Sequence, residues 1–207
     1  AYGVLCAYVH RLRTGQGQMV DTSLLEGAIA YTFWESAVYF ATGQVPGPLG
    51  SAHRLVAPYQ ALRARDGYII VGAANQSTWE ALARVLERED LLEDPRFATP
   101  GDRKRHEEAL VPILEEVLSR QDRAYWLERL ERAGVPAGPS LDISRVFQDA
   151  QLREGGYFVP LQTSDGQWRE LPTVPWKFDD SRQFHWSAAP ELGQHNHYVY
   201  QELLGLP

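Results

Sequence analysis

Apolar residues at Val4, Leu5, Tyr8, Val9 and Leu12 recur at helical spacing, so the chain opens within an amphipathic helix whose own start is expected upstream of Ala1. That helix should stop at Thr14 to Gln18, where Gly15 and Gly17 take positive φ without steric cost. Met19 to Asp21 read as a short extended link, after which Thr22 or Ser23 caps a second helix carrying Glu26 in its first turn. From Leu24 to Thr42 this helix is apolar nearly all round, with Leu25, Ile29, Tyr31, Phe33, Trp34, Val38 and Phe40. A helix without a polar face is buried on all sides or crosses a membrane. A crossing needs about 20 predominantly apolar residues, and Glu26, Gly27, Thr32, Glu35 and Ser36 interrupt this one. Burial against protein is therefore the expectation.

The linker from Gly43 to Pro48 leads to a seam at Gly50 to Gln60, and beyond it the pattern changes to that of an ordinary charged module. Residues 59–64 and 68–72, joined at Asp66 and Gly67, predict an antiparallel hairpin. Ser77 or Thr78 should start a helix through Arg88, with Trp79, Leu82 and Leu86 on one face. Leu91 to Pro100 reads as a polar loop, and 102–120 as a helix kinked or broken at Pro112. A helix over 122–133 ends at Gly134, the Pro136 to Pro139 stretch reads as a turn, and a short helix spans 142–149. A second hairpin, 157–161 with 167–171 around Ser164 to Gly166, precedes an irregular aromatic stretch with Trp176, Phe178, Phe184 and Trp186. Glu191 to Leu206 closes the chain, with Val199, Leu203 and Leu204 as its apolar stripe.

Composition narrows the function. The 207 residues, 44% hydrophobic and 23% charged, suffice for one large or two small domains with a sound core. The net charge of −7 argues against a nucleic-acid-binding surface, which draws its affinity from clustered Lys and Arg. A single cysteine, Cys6, excludes an intrachain disulfide and a thiolate zinc cluster, favouring a reducing, cytoplasmic setting. The first sixty residues hold six charged side chains and eight aromatics, so this surface should meet another chain or a further domain.

No complete catalytic constellation assembles from the residues. There is no phosphate-binding Gly-rich loop, no His-Glu-x-x-His and no Gly-x-Ser-x-Gly. His195 and His197 point apart on a helix and lack a third ligand, so no metal is expected. Cys6 reads as a core residue of an apolar helical face. Arg103, Lys104 and Arg105 read as a solvated helix face balanced by Glu107, Glu108, Glu115 and Glu116. Asp21 and Glu26 are explained by capping. In the seam, Gly50, Ser51 and Ala52 let backbone amides approach a carbonyl or carboxylate beside His53, which is either a substrate contact or a loop anchor.

Several segments together resemble the class III CoA-transferases, a family that includes formyl-CoA transferase, carnitine CoA-transferase and alpha-methylacyl-CoA racemase. They are Arg11 to Glu26 (RLRTGQGQMVDTSLLE), Gly50 to Gln60 (GSAHRLVAPYQ), Asp66 to Tyr68, Asp94 to Phe97 (DPRF), Ala133 to Pro139 (AGVPAGP), and Leu192 to His195 ahead of Leu203 to Leu206. Their order and spacing cover nearly the whole chain.

The resemblance implies an α/β fold corresponding to the C-terminal part of this family's fold: a small α+β domain plus segments of a split Rossmann-like large domain. Residues 1–54 would form a helical segment and linker of the large domain, 55–155 the small domain, and 156–207 a return segment packing on the large domain. Two chains would interlock as a homodimer. The implied substrates are a coenzyme A thioester and a carboxylic acid, with no covalently bound cofactor, no nucleic acid and no membrane. In such enzymes an Asp attacks the acyl-CoA thioester to give an anhydride, and CoA returns through an aspartyl-CoA thioester before passing to the acceptor. That Asp would lie about eight residues before Ala1 by the family's spacing, so no catalytic residue is expected in this chain, which alone should be inactive. Asp21 matches a structural family Asp. Gly50, Ser51, Ala52 and His53 match the glycine-containing loop over the active site, here with Gly50 alone where the formyl-CoA enzymes are richer in glycine. A 2-methylacyl-CoA racemase and a non-catalytic interaction subunit are the alternatives.

Overall fold

The computed structural model describes residues 1–163, 165–176 and 186–207. Ser164, Lys177, Phe178 and Phe184, which the sequence places in the second hairpin turn and the aromatic stretch, lie outside them.

The protein is mixed α/β. Helix α1 (Tyr2–Thr14) ends as the pattern requires, with Gly15 at φ 76° and its amide on the Arg11 carbonyl. The long apolar helix is in fact two, α2 (Leu24–Ala30) and α3 (Phe33–Thr42). Ser23 and Glu26 cap α2 reciprocally, each side chain serving the other's amide. The break follows from Thr32, whose hydroxyl and amide both donate to the Ile29 carbonyl, at 2.8 and 2.9 Å, in place of a regular helical bond. None of these three helices buries a residue in the isolated chain. Cys6, expected in a core, is exposed on α1.

The hydrophobic core sits elsewhere. Strands β1 (Tyr59–Ala64) and β2 (Gly67–Gly72) form the expected hairpin. A Cβ at Gly67 would come within 3.1 Å of the Arg123 guanidinium, so glycine permits that approach. Helix α4 (Gln76–Val85) starts one residue before the expected Ser77 and is capped by Asn75, whose Oδ1 accepts from the Thr78 amide at 2.9 Å. The loop expected over 91–100 contains a short helix, α5 (Asp90–Glu93), and buries Leu91 and Phe97. Helix α6 (Pro100–Arg105) starts from a Thr99 cap, and α7 (Glu107–Leu118) follows. The break falls at His106 (φ −110°, ψ 25°) rather than at Pro112, which α7 carries on its exposed side. Helix α8 (Arg123–Arg132) ends before Gly134 as expected.

The Pro136 to Pro139 stretch, expected as a turn, supplies a third strand, β3 (Ala137–Pro139), antiparallel to β2. Sheet order β1-β2-β3 leaves it at an edge, where proline costs no ladder bond. Leu62, Ala64, Ile69 and Val71 project from this sheet onto Trp79, Leu82, Leu110, Leu114, Leu118, Trp126 and Leu130 of the helices. Among the described residues, every buried one lies between Ala57 and Val135. The expected 142–149 helix is the shorter α9 (Ile143–Val146), and a further helix that was not expected, α10 (Ala150–Glu154), follows it; each is capped by an Asp. Strands β4 (Phe158–Gln162) and β5 (Trp168–Pro172) make the second hairpin, which meets α9 and α10 through Phe147 against Phe158 and the Arg153–Glu170 pair. A π-helical segment, His197–Leu203, closes the chain.

The β1–β2 turn is clamped to the start of α8 by crossed pairs. Arg65 forks onto Asp122 at 2.7 and 2.8 Å, while Asp66 receives the Arg123 amide and guanidinium at 2.7 and 3.2 Å. The Arg123 amide holds the Asp66 carboxyl below the usual carboxylate range, and the Arg65 side chain does the same for Asp122. Folded values below unfolded ones mean that this stabilisation is present above the unfolded Asp value of about 3.9 and is lost as pH falls through the folded values. The urea midpoint should therefore drop on going from pH 6 to pH 3, and an Asp66→Asn/Asp122→Asn double variant should show a shallower drop. An equal drop in the variant would remove the clamp from the account of acid sensitivity.

Candidate functional site

The seam loop begins at Gly50, whose φ of 60° suits glycine and whose Cβ position is open, with no heavy atom within 4 Å. The Ala52 amide closes a turn on the Leu49 carbonyl, and the Ser51 Oγ accepts the Ala61 amide at 3.2 Å, covering an edge donor of β1. His53 donates its amide to the Tyr59 carbonyl at 2.9 Å and accepts the Leu55 amide on Nδ1 at 3.1 Å. An accepting Nδ1 puts the neutral ring's proton on Nε2. The ring stacks on Tyr59, with centroids 5.2 Å apart and planes within 5°, and takes the edge of Trp34 at 5.7 Å. His53 is thus a loop anchor through Nδ1 and retains a donor at Nε2.

A cleft of about 450 Å³ lies between α3 and this loop, bounded by Trp34, Glu35, Leu49, Gly50, His53 and Arg54. Arg54, mostly buried, donates to the Gly47 carbonyl at 3.1 Å and reaches Glu35 at 3.5 Å. The cleft therefore combines an imidazole donor, a guanidinium and an aromatic wall, groups that can hold a carboxylate or polarise a carbonyl. Gly50, Ser51, Ala52 and His53 come together as one loop. Trp34, Glu35 and Arg54 join them from positions the sequence did not single out, because the first two lie on α3, distant along the chain.

The basic triplet differs most from expectation. Arg103 is fully buried, and Lys104 is mostly covered and donates to the His53 carbonyl at 2.7 Å; Arg105 alone is a solvated residue, paired with Asp102. One signal was available. Arg103 stands 7, 11 and 14 positions before Leu110, Leu114 and Val117, on the stripe that becomes the core face. Asp21 and Glu26 are exposed, with Glu26 engaged in its cap. His197 Nδ1 lies 3.1 Å from Glu202, and among the described residues no three His, Cys, Asp or Glu side chains gather as a metal site. No helix among the described residues is long and apolar enough to cross a membrane.

The family model for CoA-transferase family III matches residues 1–196. An acetyl-CoA:oxalate CoA-transferase from Acetobacter aceti is 33% identical over 165 residues, covering 76% of this chain and 42% of that protein. A succinyl-CoA:glutarate CoA-transferase from Mus musculus is 28% identical over 205 residues, covering 99% of this chain and 47% of that protein. Among solved structures, a CaiB/BaiF family protein from Brucella suis superposes with a TM-score of 0.78 at 32% identity, over 98% of this chain and 52% of its own. A Mycobacterium tuberculosis protein shares the fold, with a TM-score of 0.81 at 22% identity over 95% of this chain and 51% of its own. The chain spans about half the length of the curated relatives it matches. With a match along nearly its whole length, this chain belongs to CoA-transferase family III.

Proposed function

We propose that this chain is the C-terminal part of an acyl-CoA:carboxylate CoA-transferase that works through an aspartyl intermediate, the nucleophilic Asp being supplied by sequence preceding Ala1. The observation that carries the reading is the whole-length family match, with relatives named for exchanging CoA between carboxylic acids. The chemistry is covalent exchange. A carboxylate adds to the thioester carbonyl and expels CoA thiolate, leaving an anhydride, and CoA then attacks the aspartyl carbonyl and frees the donor acid. The acceptor carboxylate next displaces CoA from the aspartyl thioester, and CoA thiolate closes the cycle on the acceptor's acyl carbon.

In this reading the Gly50–His53 loop is a lid over the acyl group, and the His53 Nε2–H faces its carbonyl oxygen. The protein works in the cytoplasm as an interlocked homodimer. The second copy covers the apolar α1–α3 surface, where Leu24 is 95% and Phe40 84% exposed in the single chain. Residues 1–54 and 156–207 serve the large domain and 55–155 the small one.

The complete enzyme, given an acyl-CoA and a labelled dicarboxylic acid, should form the labelled acid's CoA thioester. Exchange of the α-proton without any dependence on acid would reject the transferase in favour of a racemase, and turnover appearing only with a second polypeptide would reassign this chain as an interaction subunit. In the same assay His53→Ala should lower kcat by about 10-fold if its Nε2 donor meets developing charge. Unchanged kinetics would confine His53 to anchoring the loop.

A further inference from the structure

The seam loop is held unequally at its two ends. Downstream, two consecutive side chains of α6 grip it: Lys104 Nζ donates to the His53 carbonyl at 2.7 Å, and Arg103 Nε donates to the Ala57 carbonyl at 3.1 Å. Upstream, the chain turns at Gly50 with its Cβ position open, and Gly47 and Pro48 precede it on the rim of the cleft. The loop is thus tied to α6 at 53 and 57, whereas around Gly50 its ties are local ones, the Ser51 Oγ on the Ala61 amide, the Ala52 amide on the Leu49 carbonyl and Arg54 on the Gly47 carbonyl.

Lys104 is placed for this and little else. Its side chain is only 21% exposed, and the ammonium pairs with Glu107, whose side chain is 17% exposed, one turn along. Glu107 Oε2 takes that pair, while Oε1 is buried without an acceptor or donor partner among the described residues. Such a half-buried pair gains little from its own attraction once desolvation is subtracted. What it achieves geometrically is to aim one ammonium hydrogen at the His53 carbonyl, the backbone point from which the imidazole is directed between Trp34 and Tyr59.

We propose that Lys104 is a positioning residue for the transfer reaction: it fixes the His53 end of the lid loop and so keeps the loop closed over the acyl intermediate. The inference rests on the CoA-transferase reading above. When the loop is loosened, water reaches the acyl anhydride. Its oxygen adds to the acyl carbonyl, the aspartate leaves as carboxylate, and the acyl group departs as free acid, so hydrolysis competes with transfer.

The test uses the complete enzyme and two readouts, the ratio of acyl-CoA hydrolysed to acyl-CoA transferred, and amide hydrogen exchange over residues 50–56. The ratio is independent of how much of the preparation is active. Lys104→Met, which keeps the aliphatic stem, should raise the ratio about 10-fold and speed exchange at the His53 amide by a similar factor, as befits loss of one charge-assisted hydrogen bond. Lys104→Arg should bring both back toward the wild-type values. Glu107→Gln, milder for folding, should raise the ratio about 3-fold by releasing the ammonium from its aim. An unchanged ratio with unchanged exchange in Lys104→Met overturns the proposal. Transfer and hydrolysis falling in the same proportion overturns it too, since that marks a merely structural lysine. If the wild-type enzyme forms no new thioester with any carboxylate, the transferase reading fails instead, and hydrogen exchange alone then decides whether Lys104 tethers the loop.

Discussion

Arg103→Ala should lower the stability of the folded protein by about 3 kcal/mol, a loss of roughly 15 °C in Tm for a unit of this size. The guanidinium is fully buried and touches three separate segments: the Ala57 carbonyl at 3.1 Å, the Phe97 carbonyl at 3.0 Å and the Gln76 Oε1 at 3.0 Å. Its face lies 5.0 Å from the Trp79 ring. Among the described residues no carboxylate pairs with it directly; burial pulls its pKa down, and Asp102 nearby only partly offsets that. Truncation leaves two buried carbonyls without donors and a cavity against Trp79, and both terms act in the same direction. Lysine is a poor substitute, because one ammonium cannot span three acceptors arranged for a planar fork. Arg103→Lys should therefore cost about 2 kcal/mol. Urea unfolding of the three proteins decides the matter: a cost below about 1 kcal/mol for alanine would mean that water replaces the guanidinium and that the carbonyls never lose their partners.

This residue also shows where sequence reading stops. Local rules located α1 with its glycine cap, the Ser23–Glu26 box, the β1–β2 hairpin, whose turn lies at Arg65 and Asp66 one residue before the expected Asp66–Gly67 joint, α8 and the second hairpin, because each is decided within a few residues of itself. They missed what depends on distant partners. Residues 137–139 look like a turn from their prolines and become a strand because the β2 edge beside them needs a partner. Leu91 and Phe97 look like loop residues and are buried by the helices around them. The site divides the same way. The motif at Gly50 to His53 was visible as a loop, whereas Trp34, Arg54 and Lys104 converge on it only in three dimensions. A run of three basic residues reads as solvated on average charge, yet Arg103 and Lys104 each satisfy a backbone carbonyl of the seam.

Excising residues 55–141 should give a monomeric, cooperatively unfolding protein whose Tm lies within about 5 °C of the main transition of the longer chain, equivalent to less than about 1 kcal/mol. Among the described residues every buried one falls between Ala57 and Val135, and β3 ends at Pro139, so this piece carries the whole core. Its chain end is tied in as well, since the Ser140 amide donates to the Tyr68 carbonyl and the Ser140 carbonyl accepts from Arg123. Extending it to residue 155 should change Tm little, because α9 and α10 make their aromatic and ionic contacts with the β4–β5 hairpin. The 1–207 chain should behave very differently. With Met19 at 90%, Leu24 at 95% and Tyr31 at 89% exposure, it presents a surface that water alone does not cover. It should bind a hydrophobic dye about 10-fold more strongly than the 55–141 piece, and self-associate at micromolar concentrations unless its cognate surface is supplied. The two regions thus separate by the source of their stability, one from its own core and one from whatever packs on it. If 55–141 proves unfolded, or binds dye as strongly as the whole chain, the core as drawn does not sustain itself, and α1–α3 must contribute to its folding rather than only to assembly.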